Sequence, residues 1–197
     1  MKRILDILIV ILSAPVWIPA LLVVALMVRL RIGTPVFFRQ TRPGLQGKPF
    51  TLLKSRTMTD ARDAAGELLP DSIRLTDFGR WLRTTSLDEL PELLNVLAGE
   101  MSLVGPRPLL MEYLPLYSKD QQRRHEVRPG VTGLAQVSGR NAIDWDSRLR
   151  LDVAYVDNKS LWLDLKILWL TLIAVSRRHG ISAAGEATMP KFSGSAR

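Results

Sequence analysis

Cysteine is absent from the 197 residues, which excludes a disulfide framework, a thiolate zinc site and a cysteine nucleophile together. Histidine is scarce: His125 and His179 are the two present, neither has a partner at metal-ligand spacing, and both read as non-catalytic. A Walker-type phosphate loop is also missing, because Gly44 to Lys48 is too short and no Ser or Thr follows the lysine. There is no internal repeat, no low-complexity tract and no composition shift that would mark a second domain. The length suits one ordinary domain plus a little. What the chain has in excess is positive charge. Its 27 Lys and Arg outnumber 19 Asp and Glu, giving +8, so the expected partners are anionic: nucleic acid, acidic lipid or a phosphorylated substrate. With 23% charged and 47% hydrophobic residues it is neither disordered nor uniformly membrane-embedded.

One long apolar run stands out. From Ile7 to Val28, 22 residues, the only polar side chain is Ser13. Roughly 20 residues suffice to cross a bilayer as a helix. A cleavable signal peptide does not fit, since the run is too long and no small-x-small site follows. Pro15 and Pro19 each remove a backbone donor and crowd the preceding turn, so a bend or break is expected. Lys2 and Arg3 precede the run and Arg29 and Arg31 follow it. Basic flanks mark the cytoplasmic side, so a helix that enters, bends at Pro15 and leaves by the same face fits better than a spanning helix or a buried soluble one. Ser13 is placed to bond a freed carbonyl.

Beyond the apolar run, residues 34–58 alternate short apolar stretches with the turn-rich Arg42-Pro43-Gly44-Leu45-Gln46-Gly47, which predicts a β-hairpin or a pair of short strands. Residues 60–70 are polar and read as a surface helix or loop. Helical spacing returns from about Leu75 to Leu97. The stretch 104–141 is rich in Pro, Gly and Arg and reads as rigid loops able to fix arginines in place. Residues 161–178 form a second apolar helix, with Trp162 and Trp169 two turns apart and Arg177-Arg178 at its end. That pattern suits a helix lying in a membrane interface, or a core helix packed on the domain. From Gly180 onward the chain reads as loop.

Chemistry is concentrated in Ser86-Leu87-Asp88-Glu89-Leu90-Pro91-Glu92. Ser86 and Glu89 have capping-box spacing, but Pro91 is best tolerated in a first turn, which argues for a helix starting near Asp88. Either way the acidic pair stands at a helix N-terminus, where backbone donors also attract phosphate. A carboxylate can act as nucleophile toward a phosphoryl group or as a divalent-metal ligand. The basic residues Lys54, Arg56, Arg83, Arg107, Arg128 and Arg140 sit beside turn or loop signals, a set that would suit a diphosphate.

The order KRILDI, a proline-broken apolar segment, RPGLQGKPFTLLKSRTM, LTDFGRWLRTTSLDELPELLNVLAGEMSLVGPRPLL and HEVRPGVTGLAQVSGRNAIDW resembles the bacterial sugar transferase family, the small monotopic phosphoglycosyl transferases. Within it the chain is most similar to the short enzymes of protein N-glycosylation pathways that transfer diacetylbacillosamine phosphate, the tail HGISAAGEATMPKF included. The resemblance implies transfer of a phosphosugar from a UDP-sugar with an N-acetylated amino sugar to undecaprenyl phosphate, with release of UMP, on the cytoplasmic face of the bacterial inner membrane. It places the family's Asp-Glu dyad on Asp88 and Glu89, with Asp88 as nucleophile forming an aspartyl phosphosugar and Glu89 holding Mg²⁺ or orienting Asp88. Lys54, Arg83, Arg107 and Arg140 then take diphosphate charge, and Gln136 and Asn141 contact uridine or sugar. It favours the re-entrant segment, with one departure: the family often has Ser directly before the breaking proline, and here that position is Ala14, with Ser13 one earlier.

The expected architecture is α+β and helix-rich: a re-entrant helix-break-helix over residues 1–32, then a cytoplasmic catalytic domain over 33–197 with a short hairpin and interfacial amphipathic helices. The rival reading is a non-enzymatic basic protein anchored at the membrane, binding anionic lipid or nucleic acid. A bitopic enzyme of another phosphate-transfer class is a third. Nothing in the chain resembles a nucleic-acid module, so nucleic acid is not an expected partner. The sugar, and whether the product feeds protein glycosylation or a surface polysaccharide, stay open at this level.

Overall fold

The computed structural model describes residues 1–139, 143–177 and 191–194. The apolar run is two helices, α1 (Lys2–Leu12) and α2 (Ala14–Arg31), separated at Ser13. The chemistry of the break is local. Trp17 and Val16 donate to the Ser13 carbonyl, while the Ser13 hydroxyl donates to Ile9 O at 2.7 Å and Val10 O at 3.2 Å. The Trp17 indole donates to Val10 O at 2.9 Å. Ser13 therefore satisfies carbonyls as its position promised, and Trp17 is a second donor that the pattern did not reveal. Pro15 lies in the first turn of α2, where its missing N–H costs nothing; Pro19 is accommodated inside the same helix.

Both ends of this helix pair rest on the rest of the chain. Lys2 pairs with Asp164 at 2.6 Å. The Arg3 guanidinium donates to Val96 O and Leu97 O, carbonyls in the last turn of α5 (Glu92–Ala98), and so works as a cationic C-cap. Asp6, the one acid in α1, is buried and accepts from Ser102 Oγ at 2.8 Å and Leu103 N at 3.3 Å. At the other end Val24 and Val28 of α2 pack on Leu82, with Phe78, Ile32 and Val36 around them.

The hairpin is present as β1 (Phe37–Pro43) and β2 (Pro49–Ser55), antiparallel with Phe38 opposite Lys54 and Arg42 opposite Phe50. Residues 60–70 are loop, tied by an isolated bridge between Arg62 and Leu68, and the short α3 follows at Asp71–Arg74. The helical spacing over Leu75–Leu97 resolves into α4 (Asp77–Thr85), a 3₁₀ turn at Leu87–Glu89, and α5. The expected helix start at Asp88 is thus displaced. Ser86 is the left-handed C-cap of α4 at φ 57°, no capping box forms with Glu89, and α5 begins at Glu92 after Pro91.

The Pro/Gly-rich stretch holds more order than loops. β3 (Ser102–Val104) and β4 (Gly130–Thr132) pair in parallel, so VGPRP and RPGVTG lie side by side. A Cβ on Gly130 would stand 2.1 Å from Gly105 N, so these two backbones meet at a distance only glycine permits. Between the strands run the 3₁₀ segment Met111–Leu116, α6 (Lys119–Gln122) and a 3₁₀ turn at Arg123–Glu126. Then follow α7 (Leu134–Val137), α8 (Trp145–Asn158) and α9 (Leu161–Arg177). One core cluster joins Val10, Trp17 and Leu21 to Leu52, Val96, Met101, Tyr155 and Ile167. α9 has two faces: Ile167 and Asp164 are buried against the domain, as a core helix requires, while Trp162 (78%), Trp169 (64%) and Leu172 (65%) are exposed on the same helix.

Candidate active site

The acidic pair is delivered by the tight turn after α4. Ser86 at positive φ costs a non-glycine residue roughly 1 kcal/mol, and it reverses the chain so that Leu87–Glu89 turns inward. Asp88 is 7% exposed. Glu89 accepts from Lys54 Nζ at 2.8 Å and Arg107 Nη2 at 2.5 Å, both on Oε1. Lys54 comes from β2 and Arg107 from the loop after β3. Arg83, in the last turn of α4, donates to Thr57 Oγ1 at 3.2 Å and lies within the field of Asp88. Four of the residues named from sequence, from four separate elements, are thereby brought around Asp88.

Two further residues belong to this arrangement and were not singled out in the motif. Glu92 is 2% exposed and stands 3.1 Å from Lys54 Nζ, so one ammonium is shared by two carboxylates. Asn95 fixes the distance between the elements that carry them. Its Nδ2 donates to Thr51 O at 2.8 Å and its Oδ1 accepts from Leu53 N at 3.1 Å, continuing the ladder of β2 with a side chain. Glu92 could have been suspected only from its place three residues after Glu89; Asn95 gives no signal without knowing that α5 borders β2.

The electrostatics separate the three acids. Burial, then the negative charge of Glu89, pushes Asp88 up to about 6, against the pull of Lys54, Arg107 and Arg83. Burial would raise Glu89 as well, but the charges of Arg107 and Lys54 and their hydrogen bonds hold it well below the usual carboxylate range. Glu92 is pushed by burial up to about 7 despite Lys54. Burial and Arg107 press Lys54 downward, yet Glu89, Glu92 and Asp88 outweigh them and it stays a firm cation. The result is an ionised carboxylate locked by two cations beside one that is poised near neutrality and accepts none of the hydrogen bonds found here among the described residues.

Arg107 is itself held from behind. Arg124 donates through Nη2 to Arg107 O at 2.7 Å and pairs with Asp152 at the same distance, both side chains being fully buried. The other basic residues divide. Arg128 donates to Gly99 O at 2.8 Å and Arg56 to Met58 O and Thr34 O, with Asp60 at 2.6 Å, so both brace backbone away from the dyad. Gln136 lies in α7 with its amide oxygen and nitrogen buried and without a hydrogen-bond partner among the described residues. Arg140, Asn141 and His179 lie outside the described residues. His125 is buried, and burial together with Arg124 pushes it down to about 4, which leaves it neutral.

As to a metal, no group of three or more His, Asp or Glu side chains is placed to hold one among the described residues. Asp88 and Glu89 supply two carboxylates, which fits Mg²⁺, an ion commonly bound through one or two carboxylates with substrate phosphates and water completing the shell.

The bacterial sugar transferase family model matches residues 1–178. A Bacillus subtilis protein named as the uncharacterized sugar transferase EpsL is 63% identical over 85% of this chain and 83% of its own length. The UDP-glucose:undecaprenyl-phosphate glucose-1-phosphate transferase of Caulobacter vibrioides is 44% identical over 87% of this chain and 68% of its own. The undecaprenyl-phosphate galactose phosphotransferase of Salmonella typhimurium is 43% identical, and there the match spans 76% of this chain but only 35% of the relative.

Proposed function

The chain belongs to the bacterial sugar transferase family, and from that premise we propose that it transfers a phosphosugar from a UDP-sugar to undecaprenyl phosphate, releasing UMP. The observation that carries this reading is a buried carboxylate, Asp88, set among Lys54, Arg83 and Arg107 while its neighbour Glu89 is paired with Lys54 and Arg107 through Oε1. A protein that only held anionic lipid would need the cations on its surface, not a desolvated acid among them.

The proposed route has two displacements. An Asp88 carboxylate oxygen attacks the phosphorus that bears the sugar, the bond from that phosphorus to the UMP oxygen breaks, and UMP leaves with the electron pair. An oxygen of undecaprenyl phosphate then attacks the same phosphorus, and the aspartyl bond breaks to return the free carboxylate. Burial prepares the nucleophile: it removes water from Asp88 and leaves the carboxylate unengaged. Lys54, Arg83 and Arg107 face the charge that spreads over the phosphoryl oxygens. Mg²⁺ held by Asp88 and Glu89 would neutralise diphosphate charge when bound. On the resemblance alone, Arg140 stays assigned to diphosphate charge, and Gln136 and Asn141 to uridine or sugar. The same holds for an N-acetylated amino sugar as cargo; the glucose and galactose in the relatives' names make neutral hexoses the alternative.

The membrane part of the proposal is a monotopic, re-entrant α1–α2 at the cytoplasmic face of the inner membrane. α2 is long and apolar enough to cross a bilayer. Its break at Ser13 and the anchoring of both ends on one domain favour return to the same face, because a straight helix over residues 2–31 would part its ends by roughly 45 Å. Leu12, Val16, Leu22 and Leu26 of this pair, with Trp162, Trp169 and Leu172 of α9, supply an exposed apolar surface for lipid.

The experiment is UMP release from a panel of UDP-sugars with undecaprenyl phosphate and Mg²⁺, for wild type and Asp88→Asn. The variant should lose turnover by at least about a thousandfold, the scale of removing a group that acts as a unit with its site. Full turnover in the variant refutes the nucleophile. Trapping of a phosphosugar on Asp88 tests the two-step route, and single cysteines at positions 2 and 33 labelled from each side test the topology, opposite-side labelling refuting it.

A further inference from the structure

The tail of the chain lies beyond residues 1–178, which the family model matches, yet part of it is built into the domain. Phe192 is 4% exposed. Its ring fills a box of three others, with centroids 5.7 Å from Tyr113, 5.8 Å from Tyr117 and 5.3 Å from Trp145. Tyr113 and Trp145 also meet edge to face at 5.6 Å, so the rings close on one another. They come from separate places: Tyr113 from the 3₁₀ segment Met111–Leu116, Tyr117 from the residue after it, and Trp145 from the first turn of α8. Lys191 stands 3.7 Å from Glu112, but that pair is exposed and holds little. The Phe192 ring is the anchor.

This cluster is tied to Arg107 twice. One tie runs along the chain. Leu109, two residues after Arg107, is buried in the same cluster as Phe192, Tyr113 and Tyr117, and Pro108 between them leaves the link little freedom. The other tie is a hydrogen-bonded guanidinium. Arg124 donates to Arg107 O at 2.7 Å and through Nη1 to Tyr117 Oη at 3.4 Å, with its Cζ 5.6 Å from the centroid of the Tyr117 ring. Tyr117 therefore packs on Phe192 and also bounds the side chain that holds the Arg107 backbone. Removing the Phe192 ring leaves a void, and neighbours relax part of the way into it. Leu109 and Tyr117 are among those neighbours, so the relaxation reaches Arg107 by both ties. A displacement of about 1 Å in a positioned group can cost on the order of a hundredfold in rate.

We propose that Phe192 is a positioning residue for the reaction: by closing this cluster, the C-terminal tail sets the place of Arg107 beside Glu89 and the diphosphate. The inference rests on the reaction assigned under the proposed function, in which Arg107 faces the phosphoryl oxygens. Phe192 acts through Leu109, Tyr117 and Arg124, not by touching substrate.

The test uses the full chain in detergent with Mg²⁺ and a UDP-sugar that the wild type turns over. Wild type is compared with Phe192→Leu, Phe192→Val, Phe192→Ala and Ile167→Ala. The last opens a void in the main core, where Ile167 is fully buried outside the aromatic cluster. Thermal unfolding is recorded for each, and UMP release is measured below every midpoint. Phe192→Ala should lower kcat/KM for the UDP-sugar at least about tenfold. Phe192→Leu, which keeps most of the buried volume, should stay within about threefold, and Phe192→Val should fall between them. Ile167→Ala should unfold at a lower temperature with kcat/KM within about twofold of wild type. Where Phe192→Ala does not fold, Phe192→Val carries the comparison, with a loss of at least about threefold expected. Wild-type kinetics in the smallest folded Phe192 variant overturn the proposal. So does an equal kinetic loss in Ile167→Ala, because the effect then follows stability alone. Failure of the underlying reaction looks different and takes this role with it: the wild type itself then releases no UMP from any UDP-sugar.

Discussion

Replacing Asp152 by Asn removes one charge from a pair with no access to water. Arg124 then keeps its guanidinium in the core, facing Tyr117 and the Arg107 carbonyl, with nothing to balance it. Breaking a buried pair from one side costs about 3–5 kcal/mol, because the remaining charge is uncompensated. At about 2–4 °C per kcal/mol for a chain of this size, the melting temperature should fall by roughly 6–20 °C. The assay is thermal unfolding followed by tryptophan fluorescence in detergent. Replacing both partners with apolar groups of similar volume, Arg124→Met with Asp152→Leu, should recover much of the loss, since no lone charge remains buried. The two readouts then diverge. The double variant still lacks the bond to Arg107 O, so its KM for the UDP-sugar should stay raised even as stability returns. A fall of less than about 2 °C for Asp152→Asn would refute the reasoning, because it would mean that the pair is open to water or replaceable in place.

A second prediction concerns pH. Asp88 must be ionised to attack, and burial with Glu89 pushes it up to about 6, so kcat/KM for UMP release should fall as pH drops through about 6; a flat profile down to pH 5 refutes the assignment. Stability responds in the opposite sense. The folded state holds the Asp88 and Glu92 protons more tightly than the unfolded chain, so these groups cost stability as pH rises from the ordinary carboxylate range to about 6 and 7, which denaturation midpoints across that window can check. Gly79→Ala would ordinarily favour a helix, but here the new Cβ would stand 1.8 Å from Thr57 O, so the variant should lose folded yield rather than gain stability. Soluble, active Gly79→Ala protein would show that α4 does not pack on Thr57 that closely.

Much of the site was legible because its chemistry is local. Asp88 and Glu89 are adjacent in a turn, and the cations carry their own signals in Pro- and Gly-rich surroundings. Ser13 was legible for the same reason, since a hydroxyl beside a proline break can reach only the carbonyls one turn back. The β-hairpin followed from a turn between two short apolar runs. α8 was not anticipated, and neither was the parallel pairing of β3 with β4, a contact between segments 28 positions apart that is permitted by Gly105 and Gly130.

By itself the sequence determined a basic, cysteine-free chain with a broken apolar segment and an acidic pair bracketed by arginines, because composition, periodicity and proline act within a few residues. Only the tertiary structure decided which charges meet. Glu89 is locked by Lys54 and Arg107, Glu92 shares the same lysine, and Asp88 accepts no hydrogen bond among the described residues. Those facts depend on where β2, α5 and the loop after β3 stand in space. Burial then sets each group's proton affinity, and no reading along the chain can supply the burial.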